Sequence, residues 1–590
     1  MMVTKQLTKR DPEYHTEAAT RARHDERDKL IANKTWEMTA VEYYEAKRAH
    51  PDAKFTIVFT ITGIKHSEDE SKAKYKARSV ARGNVVLDSK GDMILFGDEV
   101  SAHASNLVGM KSVATYGGIS GTGCSLSDAE QAFVQPRFAL DDKSNIWFVE
   151  LPPELLTPLQ REQAKKFRKP VYRLLAPLYG IPPAPKLWKE FLHHILTTKC
   201  DPPWEPVVGW SQMYVRMPNV PKGTPLPSPA KPIALKCFDS KKVWRQVLSY
   251  YVDDGALSGS FQAEAWAEIA LHIRSTRPEP LLKVLGVGFD VHALTDDSVA
   301  VDSEMSDYFA QSVAMYEALP DAPPLSKHPV ATPFCEPRPE LEMQPGDLAQ
   351  HALSLIMKLL FGARMAGMHV VYAICALACQ VTQWSKQSDL DLQRLFSYIK
   401  WNPFMIRGVL FPSEVDEICI GAYPDADLAG SRTSARSVSG GVAGLLGPKS
   451  WVALDWSSKR QTATSTSTSE AEAISLCKLA KDSVMPLQSL WSAILGRDVR
   501  ARYFEDNTAT VSIIKTGYSV ALRHLAKHHR ISLSFAHEAT GEDNDSSIEY
   551  IPTAQQKGDI LTKPLARPAF ERACEINGIV LLPVKDVNKK

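Results

Sequence analysis

The chain has 590 residues, of which 44% are hydrophobic and 23% charged, and its formal net charge is +1. This length predicts about three or four globular domains, and the charge gives no global basic signal, so any nucleic-acid binding must depend on local patches such as residues 72–82. No apolar run reaches the roughly 18 residues of a membrane span, and the N-terminus is charged rather than signal-like. We expect an intracellular protein without membrane contact, in a cytoplasmic particle or in the nucleus.

The first residues, about 25, are polar and helix-prone, and short β-branched runs follow at 55–61 and 247–252 among helical stretches. This alternation predicts an α+β fold. Proline-rich stretches at 218–232 and 320–345 interrupt it, and the second predicts an exposed connection between lobes. The nine cysteines are scattered, so we expect neither disulfides nor a zinc site.

Asp347 is predicted to cap packed helices that run through residue 384, because Leu353, Ile356 and other apolar residues recur there at helical spacing. From about residue 415 the pattern predicts a strand, a DAD triplet and a Gly/Ser-rich hairpin. A long helix over 470–496 follows, which Pro486 should kink or split. Asp506 then stands at the end of another predicted strand.

The segment SYYVDDGALSGS at 249–260 places Asp253 and Asp254 between two short apolar runs. A tight hairpin there would bring both carboxylates to its tip, where their repulsion favours a bound cation. Upstream, LSDAEQAF ends a second predicted strand with Asp128. A divalent-metal polymerase site needs carboxylates from separate strands, and these three would supply them for two Mg²⁺ ions. Taken alone, the pair also fits a solvated turn and Asp128 a cap.

YVDD together with the upstream D-x-x-x-A-F resembles the reverse transcriptases of Ty1/copia-type retrotransposons. Further blocks resemble that family in the same order along nearly the whole chain: NKTWEM at 33–38, YKARSVARG at 75–83, VYRLLAPLYGIPPAPKLW at 171–188 and LKVLGVGFD at 282–290. The resemblance implies a right-hand polymerase of fingers, palm and thumb. It also implies that Lys76 and Arg78 hold the incoming triphosphate. Phe133 would lie under the sugar and reject a 2′-hydroxyl.

The same residues have other interpretations: a solvated basic face for Lys76 and Arg78, and a core aromatic for Phe133. The chain also departs from the family, which usually reads YGLKQAP where this sequence has YGIPPAP. The glutamine expected at the nucleotide is Pro183, which has neither a side-chain donor nor a backbone N–H. The block at 96–110 also matches poorly, so both positions put polymerase activity in doubt.

Four carboxylates in the last third come from four predicted elements, and such a cluster repels itself unless cations fill it: Asp425, Glu472, Asp506 and Asp559. Their surroundings, GAYPDADLAGSRTSARSVSGGV, SWVALDWSSKRQTATSTSTSEAEAISL, FEDNTATVSI and IPTAQQKGDILTKPL, resemble the ribonuclease H part of the same family. That resemblance implies an α/β ribonuclease H-like domain in which two Mg²⁺ ions support cleavage of RNA.

Two of these assignments have competitors, because Glu470 could replace Glu472 and Asp427 could replace Asp425. In isolation an acidic residue in the first turn of a helix usually stabilises the helix dipole. The histidines of the nearby basic segment fit RNA phosphate contact or a solvated helix better than a metal site: His524, His528, His529 and His537.

We therefore predict a polar lead-in at 1–29, fingers and palm at 30–290, a proline-rich connection with helical thumb at 291–412, a ribonuclease H-like domain at 413–568 and a tail at 569–590. The expected function is an RNA-directed DNA polymerase with ribonuclease H activity, representing the C-terminal part of a retrotransposon polyprotein. Its partners would be an RNA template, a DNA primer, an RNA–DNA hybrid and dNTPs, with Mg²⁺ or Mn²⁺ at both sites. The alternative is a decayed or co-opted remnant that binds nucleic acid or retains only hybrid cleavage.

Overall fold

A computed structural model of the chain describes residues 4–65, 73–97, 107–139, 145–220, 242–430 and 434–583. Several predicted features therefore lie partly outside the described residues: the start of the basic patch at 72, most of the divergent block at 96–110 and residues 221–232 of the first proline-rich stretch. Within the described ranges, no helix combines the length and the apolar character needed to cross a bilayer.

The strands are β1 (Thr4–Leu7), β2 (Val41–Glu42), β3 (Lys54–Lys65), β4 (Lys74–Ala81), β5 (Cys124–Asp128), β6 (Trp147–Glu150), β7 (Pro170–Arg173), β8 (Glu205–Pro206), β9 (Met213–Arg216), β10 (Gln246–Tyr251), β11 (Asp254–Ser258), β12 (Glu279–Pro280), β13 (Lys283–Val284), β14 (Val287–Ala293), β15 (Val299–Glu304), β16 (Phe404–Leu410), β17 (Cys419–Asp427), β18 (Val438–Leu446), β19 (Trp451–Arg460), β20 (Ala501–Glu505), β21 (Ser546–Tyr550) and β22 (Ile579–Leu581).

The helices are α1 (Glu17–Ala32), α2 (Tyr43–Ala49), α3 (Leu107–Ser120), α4 (Pro158–Ala164), α5 (Ala184–Thr198), α6 (Gln262–Ala270), α7 (Ser306–Glu317), α8 (Pro339–Glu342), α9 (Ala349–Ala366), α10 (Met368–Ala378), α11 (Lys386–Trp401), α12 (Thr468–Leu479), α13 (Met485–Leu495), α14 (Thr508–Thr516), α15 (Leu525–His528), α16 (Leu533–Ala539) and α17 (Arg567–Ile576).

Three sheets organise the described residues. The first has the order β1-β3-β6-β7-β2 with β4 beside β3, and the second has the order β12-β5-β11-β10-β9-β8. Both strands predicted from β-branched runs are confirmed, because 55–61 lies inside β3 and 247–252 covers most of β10. The second sheet sets the end of β5 beside the β10–β11 hairpin, so it resembles a polymerase palm under the fingers of the first sheet.

The third sheet runs β13-β14-β15-β16-β19-β18-β17-β20-β21, with β22 beside β16. Its last five strands begin with an antiparallel meander, β17 to β19, and continue with β20 and β21 parallel to β17. Helix α12 provides the crossover from β19 to β20. This is the strand order of the ribonuclease H fold, so the predicted class, an α+β polymerase followed by an α/β ribonuclease H-like region, is confirmed.

The helix predicted over 470–496 is present and is split as expected. α12 ends at Leu479, a π-helical turn spans Ala480–Val484, and α13 carries Pro486 in its first turn. Proline has no N–H for a helical hydrogen bond, so its preferred place is the start of a new helix. Gly496 ends α13 with φ at 69°, in the left-handed region that glycine adopts without strain.

The predicted cap at Asp347 is wrong, because α9 begins after Leu348 and no side chain caps it. The side chain of Asp389, on α11, accepts hydrogen bonds from the backbone N–H of Asp347 at 2.7 Å and of Leu348 at 3.2 Å. The carboxylate that accepts hydrogen bonds at the start of α9 therefore belongs to Asp389, on another helix, and not to Asp347. On α9 itself, Ile356 is buried but Leu353 is 56% exposed.

The connection at 320–345 is largely exposed, yet α11 holds its middle part. Trp401 donates to the carbonyl of Ser326 at 2.8 Å, and Arg394 donates to that of Thr332 at 2.8 Å. The predicted domain limits stay predictions, although β16 belongs to a sheet that continues through the ribonuclease H-like strands. Part of the predicted tail forms α17 and β22, and β22 pairs with β16.

The palm-like and ribonuclease H-like regions also pack directly on each other. Lys111 of α3 is buried, with its Nζ 3.7 Å from the centroid of the Trp456 ring on β19. Trp210 donates to the carbonyl of Pro486 at 3.0 Å, and Arg245 donates to that of Ala493 at 3.0 Å. The two regions, which belong to different sheets, therefore share a polar interface.

Candidate active sites

The first acidic cluster, Asp128, Asp253 and Asp254, lies at one end of the second sheet. Asp128 is the last residue of β5, and Asp254 is the first of β11 and stands directly opposite it in the antiparallel register. Asp253 lies in the two-residue turn between β10 and β11. Directly paired residues project to the same face of a sheet, so the fold brings the three predicted carboxylates into one neighbourhood.

Contacts from three elements hold this end of the sheet. Trp188 of α5 donates its indole N–H to the carbonyl of Val252 at 2.6 Å, which ties the turn to α5. The N–H of Ala129 donates to the carbonyl of Asp253 at 2.8 Å, and the N–H of Asp128 donates to Oγ1 of Thr276 at 2.9 Å. The backbone that carries the carboxylates is thus tied on both sides.

The electrostatics of the first cluster favour a cation. Burial raises the pKa of Asp254 to about 6, and the charges of Asp253 and Asp128 act in the same direction. Burial and the charge of Asp253 likewise raise the pKa of Asp128, while Lys76 and Arg78 oppose them. Even so, among the described residues the three carboxylates do not form a group with ligand atoms all within 4.8 Å. The cluster is half-buried and open.

The predicted nucleotide-side residues line the approach to this cluster from β4. Partial burial lowers the pKa of Lys76, and Lys65 and Arg78 lower it further, whereas Asp128 raises it. The Arg78 guanidinium lies 4.3 Å from the centroid of the Tyr179 ring, which the sequence did not single out. Phe133 packs edge-on against the same ring, with 5.2 Å between the ring centroids. Tyr179 therefore contacts both Arg78 and Phe133, two of the residues predicted to bind the nucleotide.

Pro183 precedes the first residue of α5 and has α-helical backbone angles. Its carbonyl accepts from the N–H of Leu187 at 3.0 Å, so the proline serves as a helix start. Pro183, which lacks the predicted nucleotide-binding side chain, therefore helps to start α5.

The second acidic cluster, Asp425, Glu472, Asp506 and Asp559, lies where β17, α12 and β20 meet. Asp425, Glu472 and Asp506 offer ligand oxygens that all lie within 4.8 Å of one another. Asp425 and Glu472 are 1% and 3% exposed, so this group is far more enclosed than the first cluster. Burial raises the pKa of Glu472 to about 11, and the charge of Asp425 adds to the effect.

Asp559 joins the second cluster from a short 3-10 turn. Burial raises its pKa to about 7, and the charge of Asp425 acts in the same direction. The Lys563 ammonium lies 2.8 Å from Oδ1 of Asp559 and 3.5 Å from Oδ2 of Asp425. The Thr562 hydroxyl donates to the same Oδ2 of Asp425. The segment DILTKPL therefore supplies a carboxylate, a hydroxyl and an ammonium to one site.

The geometry separates the competing carboxylates. Glu470 accepts from the hydroxyl and the N–H of Thr466 at 2.6 and 2.7 Å, and its other oxygen lies 3.0 and 3.1 Å from ring nitrogens of His524 and His529. It is thus engaged away from the cluster. Asp427 lies two residues beyond Asp425 at the end of β17 and is not in the group within 4.8 Å.

Three residues of the second cluster escaped the sequence analysis: Glu505, Thr562 and Lys563. Glu505 is fully buried beside Asp506, and burial raises its pKa to about 8. One of its oxygens accepts from the N–H of Asn507 at 3.1 Å. All three stand inside motifs that the resemblance covers, yet nothing in a motif shows that a lysine will face carboxylates rather than solvent.

A third acidic group, Asp290, His292 and Asp302, lies on β14 and β15. Asp302 is already engaged, because both of its oxygens accept from the Arg407 guanidinium, at 2.8 and 2.6 Å. This group is therefore an ion-paired part of the sheet rather than a third site.

The residues of the second cluster fit a divalent metal. Its donors are carboxylate oxygens, which hard cations prefer, and three of them, from Asp425, Glu472 and Asp506, lie within 4.8 Å of one another. Oε2 of Glu472 is buried and has no hydrogen-bond partner among the described residues, which is costly unless a cation binds there. The first cluster fits by donor chemistry alone, since its three donors are also carboxylates, which hard cations prefer.

No protein-family model matches the chain. Among solved structures, it is similar to a foamy viral protease–reverse transcriptase bound to double-stranded DNA, with 11% identity and a TM-score of 0.39 over 81% of this chain and 63% of that one. This chain thus spans less than two thirds of that protein.

A second foamy virus protease–reverse transcriptase structure matches with 11% identity and a TM-score of 0.20 over 89% of this chain and 72% of that chain. An N-terminal RNase H domain from Mycobacterium tuberculosis, fused to maltose binding protein, matches with 17% identity and a TM-score of 0.18. It covers 27% of this chain and 97% of that chain. At these TM-scores the likenesses are distant.

Proposed function

We propose that this chain is an RNA-directed DNA polymerase with ribonuclease H activity, of the Ty1/copia retrotransposon type. The observation that carries the proposal is that two separate carboxylate clusters stand at strand ends of two different sheets. The sheet that carries the second cluster has the strand order of a ribonuclease H-type fold. Each cluster has the donor set of a two-metal phosphoryl-transfer site.

In the polymerase half, Asp128, Asp253 and Asp254 would hold the metal. Lys76 and Arg78, on the strand that faces the cluster, would bind the triphosphate of a dNTP through charge-assisted hydrogen bonds. Phe133, packed on Tyr179, would support the sugar and exclude a 2′-hydroxyl. The template would be RNA and the primer DNA.

In the nuclease half, Asp425, Glu472, Asp506 and Asp559 would hold the metal beside an RNA–DNA hybrid. When bound, Mg²⁺ or Mn²⁺ would activate the attacking oxygen and neutralise charge on the phosphate at both sites. Thr562 fixes one carboxylate of this cluster by its hydrogen bond, and the burial of Asp425 and Glu472 keeps water away from the ligands. The protein's contribution is thus orientation and desolvation.

Two assays on one preparation test the proposal. We expect primer extension on an RNA template that Asp253→Asn abolishes, and cleavage of the RNA strand of a hybrid that Asp425→Asn abolishes. Chelation of divalent metal should stop both activities. A wild-type protein that folds, binds metal and still performs neither reaction would contradict the proposal.

Two observations favour a second candidate, a remnant that retains only hybrid cleavage. Pro183 occupies the position of an expected nucleotide-binding glutamine. Asp425, Glu472 and Asp506 of the second cluster offer ligand oxygens within 4.8 Å of one another, whereas the three carboxylates of the first cluster do not. Hybrid cleavage without primer extension, under conditions in which primer and template bind, would decide for this candidate.

A further inference from the structure

Lys563 reaches into the second acidic cluster and touches two of its proposed metal ligands. Its Nζ lies 2.8 Å from Oδ1 of Asp559 and 3.5 Å from Oδ2 of Asp425. Those carboxylates come from different elements, the 3-10 turn and β17, so the ammonium bridges them. Among the described residues, no other lysine or arginine forms an ion pair with the members of this cluster.

This ammonium and a metal ion would compete for the same oxygens. Asp425 and Asp559 are two of the carboxylates that would hold Mg²⁺, which takes oxygen ligands. Nζ of Lys563 already lies in contact with both side chains, so part of their negative charge is offset by the protein itself. A divalent cation that used these oxygens would have to displace the ammonium.

The local backbone explains both the contact and its reversibility. Lys563 stands four residues after Asp559, and its N–H donates to the carbonyl of Asp559 at 3.4 Å, so the two side chains lie on one side of a helical turn. The Lys563 side chain is 31% exposed, whereas that of Asp425 is 1% exposed. The lysine thus enters from the solvent side and can withdraw along it, while the carboxylates cannot.

We propose that Lys563 is a built-in cation that competes with divalent metal for Asp425 and Asp559, and that it thereby sets the metal concentration at which the second cluster becomes loaded. The inference rests on the proposed metal-dependent nuclease function. Without metal the ammonium offsets the repulsion between buried carboxylates, and with metal it is released toward the phosphates of the bound nucleic acid. Lys563 is in this sense a positioning residue for the ligands.

Metal binding measured without substrate tests the inference. All proteins carry Asp253→Asn, so that Mn²⁺ binding followed by electron paramagnetic resonance reports chiefly on the second cluster. We expect Lys563→Met to bind Mn²⁺ about tenfold more tightly, because the charge of a partly buried ammonium in contact with carboxylates is worth on the order of one decade in affinity. Lys563→Arg should bind as the parent does.

The matched control is Lys481→Met, which removes one positive charge from an exposed position of the same region and should leave affinity unchanged. If Lys563→Met does not fold, Lys563→Gln replaces it, since glutamine keeps a donor without the charge. Melting in a chelator gives a second readout, in which the uncharged variants should be less stable than the parent and gain more from added metal.

The outcomes separate the inference from the function on which it rests. A parent that binds Mn²⁺ at a site lost in Asp506→Asn, with Lys563→Met within about twofold of it, overturns the inference alone. Weaker binding by Lys563→Met also overturns it, because the lysine would then organise the ligands for the metal. If the parent shows no Mn²⁺ binding sensitive to Asp506→Asn, both the inference and the nuclease proposal fail.

Discussion

The two acidic clusters of this chain differ in how much of the site the fold itself completes. In the first, three half-buried carboxylates stand on a hairpin and a neighbouring strand end, and the basic residues that face them come from another sheet. In the second, the carboxylates Asp425 and Glu472 are nearly inaccessible, and Lys563 lies in direct contact with Asp425 and Asp559.

The difference follows from the backbone that carries each set. The first set stands at a hairpin turn and a strand end, where the backbone is held but the side chains are half-buried. A central strand flanked by a helix and two other strands leaves little freedom, and repulsion is then relieved by raised pKa values and by an internal ammonium.

The largest expected effect tests whether the two clusters are independent centres. Asp506→Asn should reduce hybrid cleavage by more than about a hundredfold, and primer extension should persist. Loss of a group that only hydrogen-bonds a metal ligand costs about 10- to 100-fold in activity, and loss of the ligand itself should cost more. Asp128→Asn should do the reverse. Both activities are measured on the same metal-saturated preparations. Loss of both activities in either variant, with folding intact, would show one shared centre.

The interface between the two regions should give the next largest effect. Burial lowers the pKa of Lys111 to about 7, opposed by the charge of Asp455. Between about pH 7 and 10.5 the unfolded chain then binds this proton while the folded chain does not, so stability should rise with pH by up to about 1.4 kcal/mol per unit and fall as pH decreases through 7.

Urea unfolding across this pH range measures the slope, and Lys111→Met should flatten it. The control is Lys481→Met, an exposed lysine whose loss should keep the slope. A slope unchanged in Lys111→Met would mean that Lys111 stays protonated at the interface.

A smaller effect is expected at Pro183. Restoring the family's residue in Pro183→Gln should raise nucleotide efficiency by roughly 10- to 150-fold, because a hydrogen bond to a charged group contributes about 1.5 to 3 kcal/mol when it acts in the transition state. Primer extension at varied dNTP concentration measures it, with hybrid cleavage as internal control. Equal extension by both proteins would show that the proline is no handicap in this fold.

The smallest effect concerns the turn of the first cluster. Trp188→Phe removes the hydrogen bond to the carbonyl of Val252, worth about 1 kcal/mol, and should slow primer extension about fivefold. Trp210→Phe is a matched control, because it removes the same kind of bond, to the carbonyl of Pro486, far from the turn. Equal slowing by both variants would indicate a general loss of packing.

Some of this architecture could be predicted because it depends on local chemistry. Pro486 splits its helix and Gly496 ends it for backbone reasons that hold in any context. The YVDD hairpin likewise follows from two apolar runs around a polar dipeptide. Asp347 fails as a cap because the competing carboxylate of Asp389 is 42 residues away, a distance that no local pattern can convey.

The sequence by itself determined the fold class and two groups of candidate carboxylates, with competitors left open for Glu472 and Asp425, because motifs and hydrophobic periodicity are properties of neighbouring residues. Only the tertiary structure showed which of the competing carboxylates faces the second cluster and which charged group opposes it. Glu470 turns to Thr466 and two histidines while Glu472 turns to Asp425, and Lys563 turns inward rather than to solvent. Charge interactions depend on distances between elements far apart in the chain, and those distances exist only once the chain has folded.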